Sequence, residues 1–154
     1  MRLTHIQGSL KRFRRTPWRF QQTFRTPLQN LPPFVATIVS APGSLQAASV
    51  TIDEVVFEPK HLMSLLRCHP PSSQLDRDWC INATGPQETS ELLQAALGDW
   101  VDFAFVPTPK PFVIYADHDE FTTFYANTKS NLNGIVDALS RAGFESVPNF
   151  ERDL

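Results

Sequence analysis

Cysteine is scarce in this chain of 154 residues: Cys68 and Cys80 are too few for a disulfide scaffold, and no CxxC pair offers a zinc or redox site. A reducing compartment is the default, so a cytoplasmic location is expected. Long apolar runs are lacking too. The longest uncharged stretch, residues 26–52, is broken by Pro27, Pro32, Pro33, Pro42 and Gly43, so no transmembrane segment is expected. The sequence contains no Gly-rich phosphate loop, GxSxG elbow or HExxH pair, which removes the recognisable forms of nucleotide binding, serine hydrolysis and zinc proteolysis. No cofactor is expected.

What is present should fold. Hydrophobic residues make up 42% and charged residues 19%, too apolar for disorder throughout. Phe, at 12 residues, and Pro, at 13, are over-represented. The prolines cluster at Pro32-Pro33, Pro70-Pro71 and within residues 107–111, which reads as rigid connectors between elements.

Acidic residues are missing from residues 1–25, which hold Arg2, Lys11, Arg12, Arg14, Arg15, Arg19 and Arg25. The other 129 residues carry seven basic and sixteen acidic side chains, a formal charge of −9. This split divides the chain into a basic, Pro-containing, largely irregular N-terminal arm over residues 1–47 and a single α+β domain over residues 48–154. In the arm, Lys11, Arg12, Arg14, Arg15 and Arg19 interleave with Phe13, Trp18, Phe20 and Phe24. Guanidinium groups with stacking rings suit a nucleic-acid strand or an anionic membrane surface. An Arg-rich, acid-free N-terminus over residues 1–30 also resembles an organellar transit peptide, which would move the protein to an organelle. The plainest alternative is a solvated tail lying against the acidic domain. Pro17 excludes a long amphipathic helix here.

Within the domain, Val50 and Ile52 alternate before Asp53-Glu54 shifts the phase, which predicts a strand with a bulge or bend. Leu62, Leu65 and Leu66 predict a short helix over about 59–67. Residues 79–83 form a strand, and Thr84 with Gln87 makes a capping box for a helix through Leu97, stopped by Gly98. Strands over about 100–106, 112–116 and 120–126 follow, then a helix capped by Thr128 and closed by Gly143 and Phe144. Pro148 argues against another central strand, leaving the tail irregular. The expected fold is a small mixed or antiparallel sheet including a three-stranded meander (about 100–126), with two or three helices packed on one face.

The densest polar cluster, Asp117-His118-Asp119-Glu120, falls at the hairpin tip. Crowded carboxylates raise one another's pKa values and favour imidazolium at His118. Such groups could ligate a divalent metal through Asp117, His118 and Asp119, or pair His118 with Asp119 as a catalytic base and its orienter. The alternative is a turn that favours Asp and stays soluble through charge. Cys68, His69, Cys80 and His61 supply ligand types for zinc, but their spacing matches no compact zinc signature. The expected function is a small non-enzymatic binding protein that presents Asp117, Asp119, Glu120, Tyr115 and Tyr125 to a basic protein partner. The alternatives are a metal-assisted, hydrolase-like enzyme built on residues 117–120, and nucleic-acid association through the basic arm.

Overall fold

The computed structural model describes residues 1–67 and 75–154, so the Cys68-His69 pair lies outside the described residues. In chain order the elements are β1 (Arg2–His5), α1 (Leu10–Arg15), β2 (Phe20–Arg25), α2 (Leu31–Ser40), β3 (Ala47–Glu54), α3 (Lys60–Leu66), β4 (Trp79–Thr84), α4 (Gly85–Gly98), β5 (Asp102–Thr108), β6 (Val113–Ala116), β7 (Phe121–Ala126), α5 (Lys129–Arg141) and β8 (Ser146–Val147). The eight strands form one sheet in the order β1-β4-β3-β5-β6-β7-β2-β8. Every pairing is antiparallel.

The fold is α+β, with five helices among the described residues rather than two or three. Strand alternation assigns them to faces. Phe103 and Phe105 of β5 join a large core with residues of α2, α3, α4 and α5. Ala104, between them, points the other way, into a small cluster with Leu10 and Phe13 of α1, Val113, Tyr115 and Tyr125. Among the described residues four helices therefore cover one face, and α1 is the helix that covers part of the other.

The N-terminal segment departs furthest from expectation. Instead of an irregular arm, residues 1–47 supply two strands and two helices. Strand β2 lies between β7 and β8, in register from Phe20 opposite Ala126 to Arg25 opposite Phe121. Its alternation sends Phe24, fully buried, to the helical face, where it meets Phe124 edge-on at 5.9 Å. Thr23 faces the other way and hydrogen-bonds Thr123 at 2.8 Å. Burying a ring of this size contributes roughly 1.5–3 kcal/mol. Pro32 and Pro33 are not connectors: they occupy the first turn of α2, where a missing N–H costs nothing. The helix then buries Phe34, Val35, Ile38 and Val39.

The helix ends show their local chemistry. Thr128 Oγ1 accepts the Asn131 N–H at 3.1 Å, capping α5. At its other end Gly143 takes φ 89°, and Phe144 turns back to meet Phe34 at 5.1 Å. At the start of α4, Glu88 rather than Gln87 closes the box, its Oε2 accepting the Thr84 N–H at 2.9 Å. The tail is not wholly irregular, since Ser146 and Val147 add a two-residue edge strand to β2 before Pro148 ends it.

Candidate functional site

The phase shift at Asp53-Glu54 is a β-bulge. Ile52 pairs with Phe103 and Glu54 with Asp102, so Asp53 is the inserted residue. The bulge brings two consecutive carboxylates to one end of the sheet, where both find company. Asp53 is buried. Its Oδ2 accepts hydrogen bonds from Arg14 Nη2 and the Tyr115 hydroxyl, both at 2.5 Å. Arg77 donates through Nε to the Asp53 carbonyl at 3.0 Å, with Nη2 3.4 Å from Oδ1. Burial and this bond to a carboxylate push the Tyr115 hydroxyl well above the usual tyrosine value.

Beside the bulge stand Glu54, Asp102 and His118. One ligand-capable atom from each lies within 4.8 Å of the others, so these three side chains could hold a divalent cation. Asp102 is buried, and its Oδ1 accepts the His118 backbone N–H at 2.7 Å and lies 2.8 Å from His118 Nδ1. Burial raises the Asp102 pKa, with Asp117 adding to the effect, while its bonds to His118 oppose the rise. The hydrogen bond to Asp102 raises the His118 pKa, aided by the charges of Asp102, Asp119 and Asp117. Sequence reading located His118 but not Glu54 or Asp102, which are 48 residues apart and meet only through the β3–β5 pairing.

The rest of the predicted tip cluster separates. Asp117 organises the turn: its Oδ1 accepts the backbone N–H groups of Asp119 at 2.9 Å and Phe121 at 3.2 Å. Its Oδ2 pairs with Arg152 at 2.6 Å. Asp119 projects into solvent, its side chain 75% exposed, with Oδ1 3.9 Å from His118 Nε2. Glu120 sits at φ 68°, a left-handed turn position. Tyr115 and Tyr125 do not lie on an exposed binding face, being 6% and 2% exposed beneath Phe13. The alternation that places them opposite the helices also puts them under α1. Arg152, which no local pattern announced, lies over the Tyr115 ring at 4.9 Å and donates to Thr123 Oγ1 at 3.1 Å.

Next to the carboxylates is an aromatic shelf. Phe57, 53% exposed, and Trp100, 37% exposed, meet edge-on at 5.6 Å. Trp100 adopts φ 58°, a conformation costly for a bulky side chain. Beneath the shelf, buried Asp99 accepts the N–H groups of His61 at 3.0 Å and Leu62 at 2.8 Å, and lies 2.6 Å from His61 Nδ1. Phe57, Trp100, Asp99 and His61 with Glu58, Lys60 and Gly98 line a recess of about 330 Å³.

The basic residues of the N-terminal segment divide. Arg14 is committed to Asp53. Arg19 lies 6.0 Å over the Phe20 ring. Lys11, Arg12 and Arg15 remain exposed on α1. No helix among the described residues is long and apolar enough to cross a membrane. The chain matches no protein-family model, and comparison with curated proteins and with solved structures found no match.

Because the His118 pKa lies above its ordinary value of 6.5, the folded chain holds that proton more tightly than the unfolded one. The stabilisation is present in full below that value and is lost as pH rises through the folded pKa. An NMR titration of the imidazole should give a midpoint above 6.5. In Asp102→Asn the midpoint should fall, and the loss of stability on going from pH 6 to pH 8 should shrink. An unchanged midpoint in that variant would contradict the pairing.

Proposed function

We propose that the chain is a non-enzymatic binding protein whose carboxylate rim and aromatic shelf recognise a basic segment of a protein partner. The exposed Phe57–Trp100 pair carries the reading, since a ring held out at a strained backbone position has no role in the core. Around it Glu54, Glu58 and Asp119 are exposed and form no ion pair among the described residues, apart from the 3.9 Å approach of Asp119 to His118. Such a surface suits arginine or lysine side chains, whose charge meets the carboxylates and whose stems and cationic heads lie on the rings. The free thiol of buried Cys80 suits a reducing compartment such as the cytoplasm.

A labelled peptide alternating arginine and leucine, followed by fluorescence anisotropy at low salt, is the probe. It should bind saturably, while its glutamate counterpart should not. Trp100→Ala should weaken binding about tenfold, as loss of a central aromatic anchor does. Asp119→Lys should weaken it less, and the difference should vanish at high salt. Equal binding of both peptides, or indifference to Trp100→Ala, would remove this reading.

A second reading rests on Glu54, Asp102 and His118, whose ligand-capable atoms lie within 4.8 Å. A divalent cation bound there would have open positions for water, the starting point for metal-assisted hydrolysis. This ligand set keeps His118 and replaces Asp117, which the turn and Arg152 occupy, and Asp119, which projects into solvent. Manganese or zinc at about a hundred times its Kd should add about 2.7 kcal/mol of stability. His118→Ala should abolish the resulting rise in melting temperature, and Asp119→Ala should leave it intact. No rise with either metal would exclude the cation.

A further inference from the structure

The sheet face opposite the four helices is only partly covered, because α1 has six residues and stops before Pro17. Beside α1 lies a cleft of about 430 Å³, the size of a small-molecule site. Its floor comes from β3, β5 and β6, with the hydroxyls of Ser49 and Thr51 beside Ala104, Val106 and Val113. Phe13 and Trp18 wall one side, their rings 5.8 Å apart. Arg12, on α1, and Lys110, in the loop between β5 and β6, stand at the edge with Asn127.

The charge of this cleft is the reverse of the rim's. Residues 26–154 carry a formal charge of −9, yet no acidic residue among the described ones lines the cleft. Arg14, the next cation along α1, is neutralised by Asp53. Arg12 and Lys110 are exposed and form no ion pair among the described residues. Two cations without an ion pair among the described residues, in a cleft that also holds hydroxyl and amide groups, suit an anion, and guanidinium with ammonium suits a phosphate dianion. The aromatic wall and apolar floor call for a flat, apolar body next to that charge.

We propose that the cleft binds a ring-bearing phosphate monoester of about the size of a nucleoside monophosphate. The phosphate lies between Arg12 and Lys110, with Ser49 and Asn127 within the same cleft as further hydrogen-bond donors; the Thr51 hydroxyl beside them donates to Cys80 Sγ at 3.6 Å. The ring lies against Trp18 over Val106 and Val113. This site lies on the same strands, β3 and β5, as the rim at Glu54, Asp102 and His118, but shares none of those three residues, so either can fail without the other.

Isothermal titration of the full chain with phenyl phosphate, AMP, inorganic phosphate and adenosine tests the assignment. The two ring-bearing phosphates should bind saturably at millimolar concentration or below, and inorganic phosphate and adenosine at least about tenfold more weakly, since each lacks one half of the recognition. Arg12→Ala and Lys110→Ala, both exposed side chains, should each weaken AMP binding about tenfold while leaving the melting temperature unchanged. In a Trp79→Phe, Trp100→Phe chain, the emission of Trp18 should shift on addition of AMP. The proposal is overturned by absence of saturable binding to either ring-bearing phosphate, or by binding that both alanine variants leave intact. Retention of a DNA oligonucleotide with no response to AMP would likewise overturn it and assign these cations to nucleic acid.

Discussion

A buried carboxylate must be paired, and Asp53 is the one on which this architecture turns. The bulge at Asp53 places its charge beneath α1, where desolvation without a partner would cost several kcal/mol. Arg14 from the N-terminal segment and Tyr115 from β6 supply the partners, and Arg77 approaches from before β4. Three distant stretches of chain are thereby tied to one residue. The interaction links the charge split of the sequence to its topology: basic residues close to the N-terminus fold back on an acidic sheet.

The same bulge separates two chemistries. At the end of β3 it gathers Glu54, Asp102 and His118 beside the Phe57–Trp100 shelf, an acidic and aromatic rim. Further along the same strand, Ser49 and Thr51 floor a cleft edged by cations. Like charges packed at the rim carry a conformational cost that the fold offsets through hydrogen bonds: His118 meets Asp102, and Arg152 meets Asp117. Within the turn at residues 117–120, Asp117 shapes the backbone that aims His118 at Asp102.

Elements with strong local periodicity were legible in the sequence. The hydrophobic spacing of α3, α4 and α5 and the phase shift at Asp53-Glu54 each correspond to a feature of the structure. What escaped was non-local. Strand β2 has six residues, and its alternation of Phe20 and Phe24 with Thr23 is hidden among arginines whose charge reads as a solvated tail. Prolines in the first turn of α2 look like connectors unless the helix after them is weighed as well. Glu54 and Asp102 come together only through strand pairing, which no single-strand pattern encodes. Tyr115 and Tyr125 sit in runs whose alternation is plain, but which side α1 would cover depends on topology.

Whether the N-terminal segment is part of the domain is decided most directly by native-state hydrogen exchange of β2. If β2 is an integral strand between β7 and β8, the ladder amides of residues 20–25 should exchange only on global unfolding, with the same free energy as those of β7. Exchange of the β2 amides orders of magnitude faster than those of β7 would show a detachable arm, and would contradict the account of Asp53 as the residue that binds it in place.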